Sequence, residues 1–293
     1  MNFVLVHGGW HGGWCWREVE KRLQAGGHRV FAPSLTGLAE RSHLIHAVAG
    51  PDTHVEDIVR IIEFNSLSDV ILVGHSYGGM VITGVASRLT DHIAALVYLD
   101  AFVPTENHMA ANRMANPERV REIEKAIQSD GTILPTGFER WVTSEENIRW
   151  LEKMCTPHPA NCFSNGVTLS GNEDRISRRH FILCEHHKPS PFWQFYDRYK
   201  EDPTWHVSTL PCLHDAMIEM PQEVTDIILE ASKLMALPQY SPHFRRPATR
   251  RLLRLRRSQS GRRRIWINWQ ARVRGSLPAS RRLWCASRRV HQF

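Results

Sequence analysis

Short apolar runs alternate with longer amphipathic stretches over the first 237 residues. The runs at 3–6, 30–32, 70–73, 94–99, 181–184 and 205–207 are rich in Val, Ile, Leu and aromatic residues and contain no Asp, Glu, Lys or Arg. Short uncharged runs of this kind read as strands buried on both faces. Helical patterns at 14–25, 54–67, 80–89 and 191–199 fall between them, and a further helix opens at Pro221, a residue suited to a first helical turn. Strand and helix in alternation predict a parallel sheet of about six strands with helices on both faces. The rhythm breaks at about 104–176, where amphipathic helices are predicted at 117–128 and 144–154; this insertion reads as a helical lid. Its Met109, Met114, Phe138, Trp141, Trp150 and Phe163 either line a pocket or pack the lid on the core, and packing must account for most of them.

The run at 70–73 breaks into Gly74-His75-Ser76-Tyr77-Gly78-Gly79, and a helix follows from Met80. Strand, G-x-S-x-G and helix together form the pattern of a nucleophile elbow, which holds a serine at a strained apex above the sheet edge. The first strand runs into His7-Gly8-Gly9-Trp10-His11-Gly12-Gly13-Trp14. A glycine-rich loop there supplies half of an oxyanion hole, so the amides of Gly9 and Tyr77 are the candidate donors. Among seventeen histidines, His214 stands out by chain order, because it lies in the loop after the last strand, where the base of a serine nucleophile is expected.

With these motifs in place the chain resembles the α/β-hydrolase superfamily. Within it the similarity is to the branch of small bacterial esterases akin to plant methyl-salicylate esterases and hydroxynitrile lyases. The matching segments are residues 3–16, 33–43 (PSLTGLAERSH), the elbow with 80–86, 96–104 (LVYLDAFVP) and 214–221 (HDAMIEMP), spread over about residues 1–237. The resemblance implies an α/β-hydrolase fold and a Ser-His-Asp hydrolase acting on small-molecule carboxylic esters through an acyl-enzyme, with neither a metal nor an organic cofactor. It also exposes departures. The position where the family carries its acid, after the strand 181–184, is His187, and histidine cannot supply the negative charge that orients the base. Glu185, two residues back, is placed slightly ahead of Asp100, at the end of the strand 94–99, as the substitute; a chain with no functional acid is the third reading. Leu213 and Ala39 stand where glycine is usual, and leucine at a positive φ costs about 1–2 kcal/mol.

Three functions follow. An ester hydrolase leads. A hydroxynitrile lyase is disfavoured, because that group commonly carries threonine and lysine where this chain has Gly8 and Asp215. A non-catalytic or degraded binding protein rests on His187 and Leu213.

Composition divides the chain at residue 239. Residues 240–293 hold sixteen arginines and no Asp, Glu or Lys, leaving 21 Lys+Arg against 30 Asp+Glu before them, a net charge of −9. The catalytic domain is therefore 1–238, and 239–293 is an arginine-rich extension. Such a segment can bind nucleic acid or an anionic membrane. Arginine without lysine, in no helical or strand period, reads instead as a disordered or non-native stretch translated outside its natural frame. The six cysteines contain no C-x-x-C pair and read as small apolar residues of a reducing compartment, not as a disulfide frame or zinc motif. With the first core strand at residue 3 and no run of transmembrane length, neither a signal peptide nor a membrane span is expected, and the expected location is cytoplasmic.

Overall fold

The computed structural model describes residues 1–233; the arginine-rich segment lies outside the described residues. Strand β1 (Asn2–Val6) leads through a 3-10 turn at Gly13–Trp16 into α1 (Arg17–Ala25). Then come β2 (Arg29–Phe31), a 3-10 stretch at Ala39–Ala47, α2 (Pro51–Phe64), β3 (Val70–His75), α3 (Gly78–Arg88) and β4 (Ile93–Leu99). The insertion contributes α4 (Ala111–Met114), α5 (Pro117–Ala126), β5 (Thr132–Ile133), α6 (Glu145–Met154), β6 (His158–Pro159) and α7 (Asn161–Ser164). The chain returns with β7 (Arg179–Cys184), α8 (Trp193–Tyr199), β8 (Trp205–Leu210), α9 (Ala216–Glu219) and α10 (Pro221–Lys233).

Six strands form one parallel sheet in the order β2-β1-β3-β4-β7-β8, as the alternating pattern predicts. Period-2 side-chain geometry explains why its strands are apolar throughout. Phe3, Leu5, Ile71, Val73, Val97 and Ile182 pack on one face with Val19 and Leu23 of α1 and Val224 and Ile228 of α10. Val4, Val6, Leu72, Leu96 and Phe181 pack on the other with α2, α3 and α8. Helix α2 shows how the sequence encodes this: Pro51 sits in its first turn, and Val55, Ile58, Val59 and Ile62 line one buried stripe.

The lid expectation holds in outline and gains a detail. Strands β5 and β6 pair antiparallel inside the insertion, too short at two residues each to register as a hydrophobic pattern. Of the six apolar insertion residues singled out, Trp141 and Phe163 line the cavity that Ser76 also lines. Met114 belongs to the core and the half-buried Met109 packs against it, Phe138 packs edge-on against Trp141, and Trp150 against Trp14. Among the described residues no helix is long and apolar enough to cross a membrane.

Candidate active site

Strand β3 ends where backbone crowding leaves no room for side chains. A Cβ on Gly74 would lie 2.7 Å from the Gly78 carbonyl oxygen, and one on Gly78 would lie 2.7 Å from that of Val6. The two glycines let the chain reverse between sheet and helix, and Ser76 at the apex adopts φ 53°, a left-handed conformation that a non-glycine residue holds only at a cost. The strain is pinned by hydrogen bonds: Ser76 N–H donates to Leu99 at 3.2 Å, and its carbonyl accepts from Gly79 and Phe102 at 3.1 Å each. Ser76, Gly9 and His214 line one cavity of about 290 Å³, which brings the predicted nucleophile, oxyanion loop and base to the carboxyl edge of the sheet. Its apolar wall includes Trp10, Phe102, Trp141, Phe163 and Phe192, with Arg140 also among the lining residues.

The carboxylate that meets His214 belongs to Asp100. His214 Nδ1–H donates to Asp100 Oδ2 at 2.6 Å, and the carboxylate is fully buried. Glu185 sits just past β7 with its amide bonded to the Leu210 carbonyl. The hydrogen bond to His214 thus goes to the carboxylate that the sequence placed second. The reason is topological: β4 lies beside both β3 and β7 in the sheet, so its last residue emerges next to the elbow. Asp100 also has positive φ, 42°, its amide bonds to the Ile182 carbonyl at 2.7 Å, and its Oδ1 accepts from the Cys184 amide at 3.3 Å.

His187, at the position where an acid was expected, turns toward the same carboxylate. Its Nδ1–H donates to Asp100 Oδ2 at 2.7 Å, so one oxygen serves two imidazoles. The His214 ring lies 4.4 Å from the His75 and His187 rings and stacks on Phe192 at 5.4 Å. His75 Nε2–H donates to the His214 carbonyl at 3.1 Å, and burial holds His75 far below the ordinary histidine range, hence neutral. Leu213 is absent from the residues with positive φ, whereas Ala39 does adopt φ 48°. Of the two loop departures, only the alanine is conformationally strained.

A second histidine–aspartate pair, unseen in the sequence, lies behind the first. His11 Nδ1–H donates to the Gly9 carbonyl at 2.7 Å and Nε2–H to Asp215 Oδ2 at 3.0 Å. Both nitrogens face acceptors, so the ring is an imidazolium. Burial opposes that charge, but Asp215 and the Gly9 carbonyl outweigh it and raise the His11 pKa. Burial likewise works against the Asp215 charge, yet His11 above all brings its pKa below the ordinary carboxylate value. The Asp215 amide donates to the Trp141 carbonyl at 2.9 Å, tying the base's loop to the insertion. The clue available in the sequence was a histidine inside the glycine loop expected to carry an oxyanion donor. Among the described residues the five cysteines, Cys15, Cys155, Cys162, Cys184 and Cys212, are all free thiols.

Comparison with known proteins agrees with this architecture. The family described as "Alpha/beta hydrolase family" matches residues 3–227. A carbendazim hydrolyzing esterase of Nocardioides sp. (strain SG-4G) is 40% identical over 245 residues, covering 80% of this chain and 99% of that protein. Salicylic acid-binding protein 2 of Nicotiana tabacum is 36% identical over 108 residues, 36% of this chain and 42% of its own length. Among solved structures, an extracellular α/β-hydrolase from a Paenibacillus species superposes with a TM-score of 0.70 at 20% identity, over 79% of this chain and 98% of that one.

Proposed function

This chain belongs to the alpha/beta hydrolase family, and from that premise we propose that it is a carboxylic ester hydrolase working through Ser76, His214 and Asp100. The observation that carries the reading is the 2.6 Å contact between Asp100 and His214 Nδ1, on a histidine that shares its cavity with the elbow serine. With the Nδ1 proton held by the carboxylate, the lone pair of the base resides on Nε2, the tautomer needed to take the Ser76 proton. Ser76 Oγ attacks the ester carbonyl, and the amides of Gly9 and Tyr77 stabilise the oxyanion. The imidazolium, favoured by buried Asp100, returns the proton to the departing alcohol. A water molecule, deprotonated by the same histidine, then releases the acid from the acyl-enzyme. His187 is a bystander that shares the acid: it removes no carboxylate from the base.

The aromatic wall of the cavity suits an ester with a flat aromatic part, and the 40%-identical relative is named for hydrolysing carbendazim. The substrate class proposed is therefore an aryl or heteroaryl ester or carbamate, processed without a catalytic metal or organic cofactor. The test is turnover of p-nitrophenyl acetate, p-nitrophenyl butyrate and carbendazim by the full chain and by Ser76→Ala. Hydrolysis that disappears in Ser76→Ala with the circular dichroism unchanged is the expected result. Equal turnover in both proteins would overturn the mechanism.

A further inference from the structure

On the side of the elbow facing α2, three buried side chains from separate elements meet: His54 of α2, His158 of β6 and Cys162 of α7. A nitrogen of each imidazole and the Cys162 sulfur lie within 4.8 Å of one another. Cys162 Sγ is 3.9 Å from His54 Nδ1, and the Tyr77 hydroxyl donates to that nitrogen at 2.9 Å. Each ring's other nitrogen is committed to a carbonyl. His54 Nε2–H donates to Thr36 at 2.9 Å, and His158 Nδ1–H to Pro159 at 3.2 Å. These bonds fix the tautomers and leave lone pairs on His54 Nδ1 and His158 Nε2. The latter is buried and has no hydrogen-bond partner among the described residues. A buried polar nitrogen left unsatisfied calls for an explanation.

We propose that His54, His158 and Cys162 form a binding site for a closed-shell d10 cation, Zn²⁺ or Cu⁺, with the Tyr77 hydroxyl at the fourth corner. Metal-bound histidines characteristically donate their remote N–H to a carbonyl or carboxylate, the arrangement both rings already hold. Two imidazoles and a thiolate are the donor set that such ions favour. Ordinary zinc–nitrogen and zinc–sulfur lengths place tetrahedral ligand atoms roughly 3.6 Å apart, close to the 3.9 Å found between Cys162 and His54. Binding breaks the hydrogen bond from the Tyr77 hydroxyl to His54 Nδ1 and forms two metal–nitrogen bonds, one metal–sulfur bond and one metal–oxygen bond to the neutral hydroxyl; the Cys162 proton leaves to solvent, and no electron is transferred. The ion would clamp β6 and α7 of the insertion to α2 and to the residue that follows the nucleophile.

The test uses the full chain, stripped with a chelator under reducing conditions and titrated with Co²⁺, then with Zn²⁺ and anaerobic Cu⁺ as competitors. Expected are the visible bands of tetrahedral cobalt together with a sulfur-to-cobalt charge-transfer band, displaced by whichever d10 ion binds more tightly. Zinc affinity should fall by at least about 10–100-fold in His158→Ala and Cys162→Ser. Zinc at about 100 times its dissociation constant should raise the wild-type Tm and leave the variants' Tm unchanged. Should His158→Ala fail to fold, the isosteric Cys162→Ser decides by loss or retention of the charge-transfer band. Absence of that band in wild type, or its persistence in Cys162→Ser, would overturn the site.

Discussion

Residues 214 and 215 are neighbours in the chain, yet each completes a different buried histidine–aspartate pair. In one, His214 meets Asp100 through Nδ1 and its ring lines the cavity that holds Ser76. In the other, Asp215 meets His11, whose two nitrogens are both spent on fixed acceptors. The contacts are alike in chemistry and length, 2.6 and 3.0 Å, and both rings line the same cavity; in the second pair both ring nitrogens face fixed oxygen acceptors. His214, with Asp100 on Nδ1, is the ring proposed to exchange a proton with Ser76. His11, with both nitrogens facing acceptors, is the ring that ties its loop to Asp215.

The largest effect that separates the pairs is expected from Asp100→Asn. Loss of the carboxylate leaves His214 in the wrong tautomer and should lower kcat about 10⁴-fold with KM little changed, measured on one activated ester. Asp215→Asn should instead strike stability, because it strands a buried charge on His11. A Tm and urea midpoint reduced by about 3–5 kcal/mol of unfolding free energy, with kcat of the folded fraction lowered far less than in Asp100→Asn, would bear the contrast out. A kcat loss as large as that of Asp100→Asn would erase it.

Acid sharpens the same distinction. His7 and His54 are buried neutral, with burial depressing them to about 3 and about 4. The unfolded chain protonates these residues below pH 6.5, whereas the folded chain does not. The stability tied to them is present above 6.5 and is lost as pH falls toward those folded values, at about 2 kcal/mol each by pH 5. His11, shifted upward, behaves oppositely: its contribution is full below 6.5 and is lost as pH rises through its folded pKa. Urea midpoints should therefore drop from pH 7 to pH 5 in wild type, and the drop should shrink in His7→Asn.

Smaller effects probe the shared acid. His187→Asp places a second carboxylate where an imidazole stood 2.7 Å from Asp100. The added negative charge beside the proposed catalytic pair should favour its protonated form and move the acid limb of kcat/KM upward by about one pH unit. Glu185→Gln should change kcat/KM by less than about threefold and stability by under about 0.5 kcal/mol, and a collapse of activity there would return the acid role to Glu185.

Much of this protein was legible in its sequence because the relevant information is local. Six uncharged runs separated by helical stretches specify a doubly covered parallel sheet, since a strand buried on both faces excludes charge. The Gly74–Gly79 turn identifies Ser76 because only glycine fits where sheet and helix backbones touch. His214 was singled out by its place after the last strand, and it lines one cavity with Ser76. The partner of His214 was not legible, because the acid is chosen by which strand ends lie side by side. The order β3-β4-β7 brings residue 100 to residue 214 and leaves residue 185, nearer in sequence, aside. The same holds for His11 with Asp215 and for His54 with His158 and Cys162: residues 104 to 204 positions apart acquire meaning only when packing removes water from between them and leaves each polar group the partners it will have.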